Sequence, residues 1–272
     1  MAPHLRVVPS GEPERARPRL IEIRQLAKTY RTRDGDVPSL RPLDLEIGDG
    51  EFVSVVGPSG CGKSTLLKLV GGLIPPSQGE IRIEGRPVNE PPADVGVVFQ
   101  SPVLLAWRTV LRNVMLPVEV RRLDRAVHLE RAQKLLKTAG LEGFENKYPW
   151  QLSGGMQQRT AICRALVHDP KIVLMDEPFG ALDAMTRERM NLELHRIHRE
   201  TGKTILLITH SIPEAVFLAD RVVVMTERPG AIAAIYDVPL AKPRTLETMA
   251  DPAFAVLIQT IRAHFYAKSS LD

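Results

Sequence analysis

Cysteine is scarce in this chain. Two in 272 residues, Cys61 and Cys163, cannot build a disulfide framework, and the spacing of a zinc site is absent. Both are expected as free thiols. No apolar run approaches the ~18 residues that a bilayer span needs, and the N-terminal stretch lacks the apolar segment of a signal peptide. The sequence therefore predicts a cytoplasmic chain. Charge of one sign is also lacking: the net +4 is weak for this length, and much of it comes from Arg6, Arg15, Arg17 and Arg19. Such a balance does not argue for a nucleic-acid partner. What remains is 44% hydrophobic and 25% charged, the composition of a soluble globular protein long enough for a large core, as two domains or one with an insert.

Against these absences stands Gly57-Pro58-Ser59-Gly60-Cys61-Gly62-Lys63-Ser64-Thr65, which fits G-x-x-x-x-G-K-[ST]. It lies between an apolar run, Phe52 to Val56, and helical apolar spacing at Leu66, Leu67, Leu69 and Val70. Strand, loop and helix are the setting a phosphate-binding loop requires. Its glycines let backbone N–H groups turn inward around phosphate oxygens, and the helix N-terminus adds partial positive charge. Lys63 can reach the outer phosphates, and the Ser64 hydroxyl can bind Mg²⁺. Cys61 sits near Lys63 and a helix start, both of which favour a thiolate, so reaction with maleimide is expected; the alternative is a buried, inert small residue.

Taken in order, residues 1–19 have little apolar surface and read as a flexible tail. Alternation at Leu20, Ile21 and Ile23, at Leu43, Leu45 and Ile47, and at Ile81 and Ile83 predicts half-buried antiparallel strands. Tyr30 ends the first of these, either as an ordinary half-buried tyrosine or as a platform on which a base stacks. Val95 to Phe99 is a compact run that delivers Gln100 to a strand end, a candidate contact to Mg²⁺ or water. Residues from 101 to about 168 read as a mostly helical insert, whose surplus of large apolar side chains suits either a core or a docking surface.

Within that insert Ser153 is placed as N-cap of a helix opening Ser-Gly-Gly, a second anion-binding start. Ile172 to Met175 then runs into Asp176-Glu177. Asp176 suits holding Mg²⁺ through water, and Glu177 is placed to polarise attacking water. Thr204 to Thr209 is another buried-type strand, presenting His210, with Ser211 and Glu214 as a capping box behind it. His195 and His198 share helical spacing amid Arg196, Arg199 and Glu200, which predicts a solvated face. Val222 to Met225 and Ala231 to Tyr236 form a predicted hairpin, and residues 241–272 a helical extension.

Together these residues resemble the ATP-binding subunits of ABC transporters over nearly all of residues 20–240. The resemblance implies an α/β P-loop NTPase fold with a RecA-like core, an antiparallel β subdomain and a helical insert subdomain. By it Tyr30 is the A-loop aromatic, Gly57 to Thr65 the Walker A loop, Gln100 the Q-loop, and Leu152 to Gln158 the signature that sets Ser153, Gly154, Gly155 and Gln158 on nucleotide. Ile172 to Asp176 is similarly Walker B, Glu177 the catalytic glutamate, Asp183 the D-loop aspartate and His210 the H-loop histidine. The chain departs from the family at Gly180, where serine is commoner, and at Ser211, where aspartate is frequent. Neither removes a group the chemistry needs.

Leu104 to Val110, Glu177 to Asp183, Glu214 to Arg221 and the Arg228-Pro229-Gly230 turn look like those of the nitrate, sulfonate, taurine and bicarbonate importers. That likeness implies ATP and Mg²⁺, a homodimer of ATPase subunits, a membrane permease, an extracytoplasmic solute-binding protein and a place on the cytoplasmic face of the inner membrane. Pyrimidine precursors join the possible solutes. A soluble ABC ATPase of DNA repair or translation is the competing reading; this chain shows no heptad run and one set of motifs. A monomeric P-loop kinase would leave Leu152 to Gln158 and His210 without roles.

Overall fold

A computed structural model describes residues 18–180 and 182–266. Residues 1–17 of the expected tail, Ala181 and the last six residues of the extension lie outside the described residues. In chain order the first elements are strands β1 (Arg19–Thr32), β2 (Gly35–Gly48) and β3 (Phe52–Val56), helix α1 (Lys63–Val70), and strands β4 (Gln78–Ile83), β5 (Arg86–Pro87) and β6 (Val95–Val98). Helices α2 (Val110–Val114), α3 (Leu116–Val120), α4 (Arg125–Thr138) and α5 (Gly154–Leu166) follow, then β7 (Ile172–Asp176) and α6 (Ala184–Thr201). The chain continues through β8 (Thr204–Ile208), α7 (Ile212–Leu218), β9 (Arg221–Met225), β10 (Ile232–Asp237) and α8 (Pro252–Tyr266). Two compact units result: Met1–Pro92 with His195–Asp272, and Ala93–Leu194.

The first unit carries two strand layers. Strands β2, β1, β4 and β5 pair antiparallel in that order. Ile21 lies opposite Ile47, Ile23 opposite Leu45 and Leu26 opposite Leu43, all buried. Alternation thus places one apolar face inward, each such side chain contributing about 1.5–3 kcal/mol on burial. Strand β3 pairs parallel with both β8 and β9, and β10 pairs antiparallel with β9. Every residue of β3 and of β8 is buried, as expected of parallel strands covered on both faces.

The two histidines of α6 depart from expectation. His195 and His198 are only 2% and 4% exposed. Asn191, Leu194, His195 and His198 follow the i, i+3, i+4, i+7 stripe that a helix buries, which leaves Arg196, Arg199 and Glu200 on the other side. His198 Nε2 meets the Gly50 carbonyl oxygen at 3.1 Å, and its ring packs edge-on against Phe52. His195 Nε2 accepts from the Arg244 backbone N–H at 3.0 Å, while the Arg244 guanidinium donates to the carbonyls of Val216, Phe217 and Ala219 at the end of α7. Residues of the C-terminal segment therefore close the last turn of α7.

In the second unit β6 and β7 run parallel. Gly96 allows this strand to lie on α5, since a Cβ there would collide with the Ala165 carbonyl oxygen. Helices α2 to α5 surround a core that includes Val110, Val114, Val118, Leu136, Leu141 and Cys163. Residues 101–109 form a loop rather than a helix. Buried Asn113 holds it, accepting from Leu105 N–H at 2.8 Å and donating to the carbonyls of Leu105 and Arg108. That loop leaves Trp107 74% exposed and Val103 58% exposed, so the apolar surplus divides between a core and an open face.

Candidate functional site

In the first unit the site begins where β3 turns into α1. Gly62 takes φ +104°, a left-handed conformation, and a Cβ there would lie 2.6 Å from Leu40 Cδ2 and 2.9 Å from the Ser39 carbonyl oxygen. No side chain fits. The following Lys63 is buried, with Nζ donating to the carbonyls of Gly57 and Pro58, both at 2.8 Å. Its ammonium is thus held over the loop Gly57-Pro58-Ser59-Gly60-Cys61-Gly62, with Ser64 and Thr65 in the first turn of α1. Tyr30 reaches the same turn, its hydroxyl 3.3 Å from Thr65 Oγ1.

Cys61 differs from the thiolate expected of it. The residue is fully buried, and that burial pushes its thiol upward more strongly than nearby Lys63 pulls it down. Gly230 packs directly above: a Cβ there would collide with the Cys61 carbonyl oxygen. Cys61 is a small loop filler. The second thiol, Cys163, is pushed up to about 12 by burial.

His210 follows β8 and is exposed. Ile208 lies beside Val55 in the parallel pair β3 and β8, so two residues further on His210 and Gly57 leave adjacent strands at the same end. Ser211 caps α7, accepting from Glu214 N–H at 3.3 Å.

The second unit repeats this logic. Val98 is opposite Met175, and two residues beyond them the side chains of Gln100 and Glu177 meet, Nε2 donating to Oε2 at 3.3 Å. Asp176 is the buried last residue of β7. Glu177 takes φ +46°, strained for a residue with a side chain, and the turn closes with Gly180 N–H donating to its carbonyl at 3.1 Å. Ser153 and Gly154 are exposed at the start of α5, where Ser153 Oγ accepts from Met156 N–H at 3.3 Å. Gly155 abuts Leu182: a Cβ would come 2.9 Å from its Cδ2.

Two residues expected to contact nucleotide also have partners within the chain. Gln158 is buried, its Nε2 donating to the Phe99 carbonyl at 3.1 Å, so it supports the strand end that carries Gln100 instead of an open surface. Asp183 caps α6, accepting from Thr186 N–H at 3.0 Å, and that bond holds its carboxyl below the usual range. Ser39, unremarkable in sequence, donates through Oγ to Thr65 Oγ1 at 3.1 Å.

A sequence profile of the ABC transporter family matches residues 40–180, which is half of the chain. The chain is 49% identical over 224 residues to an uncharacterized ABC transporter ATP-binding protein of Methanocaldococcus jannaschii, covering 82% of this chain and 84% of that one. The chain belongs to the ABC transporter family. It is also 45% identical to the taurine import ATP-binding protein TauB of Escherichia coli, over 78% of this chain and 82% of the relative. Among solved structures, a dimeric bacterial ABC transporter cassette superposes with TM-score 0.74 at 36% identity, over 82% of this chain and all of that one. A dimeric post-hydrolysis cassette bound to ADP and phosphate superposes at 0.73, with 35% identity and the same coverage. The fold is that of an α/β P-loop ABC cassette, and the chain is an ATP-hydrolysing ABC subunit.

Proposed function

We propose that this ABC subunit powers an importer. Residues 20–240 are its ATPase domain, with residues 101–168 as the helical insert and 241–272 as an extension. Two copies close on ATP, and the pair drives a membrane permease that takes up a small solute delivered by an extracytoplasmic binding protein. The solute is of the nitrate, sulfonate, taurine, bicarbonate or pyrimidine-precursor type; identity to taurine importer subunits supports that class. Among the described residues no helix is long and apolar enough to cross a membrane, so the permease supplies attachment to the cytoplasmic face of the inner membrane.

The observation that carries the reading is the hydrogen bond from Gln100 to Glu177. It joins the carboxylate suited to polarising water to the residue that opens the loop bearing exposed Val103 and Trp107. A change at the hydrolytic end therefore has a direct route to a docking face.

The chemistry follows from the side chains. Backbone N–H groups of Gly60 to Thr65 take the phosphates, and Lys63 exchanges its loop carbonyls for the outer phosphate oxygens. Tyr30 stacks on the base. Glu177 accepts a proton from water attacking the terminal phosphate, and His210 contacts that phosphate. Ser64, Gln100 and Asp176 offer hydroxyl, amide and carboxylate oxygens, a hard donor set that suits Mg²⁺ with several waters retained. Held by these residues, Mg²⁺ would supply positive charge against the phosphates. Ser153 and Gly154 of one protomer close over ATP on its partner, with Asp183 nearby in the same interface.

A mixing experiment tests the dimer. Glu177→Gln is placed in all chains to trap nucleotide, with Lys63→Ala added in one preparation and Ser153→Arg in another. Each homodimer has two damaged sites, whereas a heterodimer has one intact site and one carrying both lesions. Mixing is expected to restore trapping toward one ATP per heterodimer. Trapping no better than the parental average, with heterodimers demonstrated, rejects the shared site.

A further inference from the structure

Thr65 Oγ1 receives two neighbours from the antiparallel layer: the Ser39 hydroxyl, donating at 3.1 Å, and the Tyr30 hydroxyl at 3.3 Å. Ser39 is 5% exposed, and its backbone is held as well, since its carbonyl accepts from Gly230 N–H at 2.9 Å. That same carbonyl faces Gly62 of the phosphate loop. Ser39 is therefore fixed by main chain on one side and bonded through its side chain on the other. Across the layer, Tyr30 pairs with Val37, two residues before Ser39, so the two hydroxyls approach Thr65 from neighbouring strands. Lys28 Nζ lies 5.3 Å from the Tyr30 ring centre and is itself held by the Pro75 carbonyl at 2.7 Å. That ammonium lies over one face of the ring.

A threonine hydroxyl has one proton and two acceptor lone pairs, and it rotates freely unless partners fix it. Ser39 donates to it and so occupies one lone pair, which leaves the Thr65 proton and the other lone pair for the Tyr30 hydroxyl. We infer that Ser39 is a positioning residue for the base: by fixing the Thr65 hydroxyl it anchors the phenol of Tyr30 and sets the plane on which the adenine stacks. Ser39 itself touches neither phosphate nor base. The inference rests on the ATP-binding reading above, with Tyr30 as the platform.

The base is what separates this role from a general one in the loop. Binding of ATP and of inorganic tripolyphosphate, each with Mg²⁺, is measured by calorimetry on the full chain and on Ser39→Ala, Ser39→Thr and Tyr30→Phe. Ser39→Ala is expected to weaken ATP by about two- to tenfold, the span of one lost neutral hydrogen bond, and to leave tripolyphosphate unchanged. Ser39→Thr retains the hydroxyl and is expected to keep ATP affinity within about twofold of the parent. In a Tyr30→Phe background the anchor is already gone, so Ser39→Ala adds little. Equal loss for ATP and tripolyphosphate, no loss for either, or a full additional loss in the Tyr30→Phe background overturns the proposal. If the unaltered chain binds ATP no better than tripolyphosphate, the platform reading itself fails, an outcome distinct from any of these and equally fatal to the inference.

Discussion

Glu177, the proposed base, has its side chain bonded by Gln100 at a strand end and its backbone in a left-handed turn. Gln100 donates to it, so an amide in its place would still fit by flipping its donor and acceptor, while losing the ability to accept a proton. Glu177→Gln is expected to retain ATP in calorimetry and to slow phosphate release by about 10² to 10⁴. A turnover near that of the parent would place the base elsewhere. At the same scale Cys61 carries the opposite lesson: a thiol beside a lysine reads as reactive until its burial is known. Native chain is expected to react with maleimide far more slowly than chain in denaturant, with or without ATP. Rapid native labelling at Cys61 would contradict the buried loop.

Among the elements, α6 and α7 depend on the C-terminal segment more than their own sequences suggest. Helix α7 has seven residues, too few for stability by itself, and its last carbonyls are taken by Arg244. Burial pulls that guanidinium down to about 10. Lys242 of the same segment binds Asp220 at 2.6 Å, and Asp220 accepts from Phe52 N–H at the start of β3. Burial alone would raise the Asp220 carboxyl; these two donors hold it below its usual value.

His195 completes the latch as an acceptor, which requires Nε2 to be unprotonated. Burial first, then Arg244, Lys242, His198 and Arg199, lower it to about 4. In the unfolded chain it titrates near about 6.5, so between those values the unfolded state binds more protons. Its contribution to stability is complete above the unfolded value and is lost as pH falls toward the folded one. Urea midpoints measured across that window are expected to fall less steeply for His195→Gln, whose amide oxygen can still accept from Arg244. Equal slopes in the two chains would show that His195 does not titrate on unfolding.

At the scale of the whole molecule, no helix among the described residues is long and apolar enough to cross a membrane, and the proposed membrane partner is a permease. Trp107, on the loop that Asn113 holds, is the exposed aromatic nearest in sequence to Gln100. Purified chain is expected to sediment with vesicles containing its permease and to remain in solution with vesicles of lipid alone; Trp107→Ala weakens the first without altering ATP hydrolysis by the free chain. Equal recovery with both kinds of vesicle would remove the permease from the account.

The phosphate loop, the strands on either side of it, the acidic pair at the end of β7 and the capped start of α7 were legible because each is encoded within a few neighbouring residues. Spacing and residue type carry that information, since a glycine turn or a helix cap makes its bonds locally. Packing had to decide the rest. Gln100 meets Glu177 across 77 positions and Ser39 meets Thr65 across 26, through strand register and layer contact that no local pattern writes. Arg196, Arg199 and Glu200 truthfully marked one side of α6 as solvated, but only its neighbours settled that His195 and His198 belong to the other. Whether a polar side chain serves as ligand, latch or filler depends on what covers it, and that is a property of the folded chain.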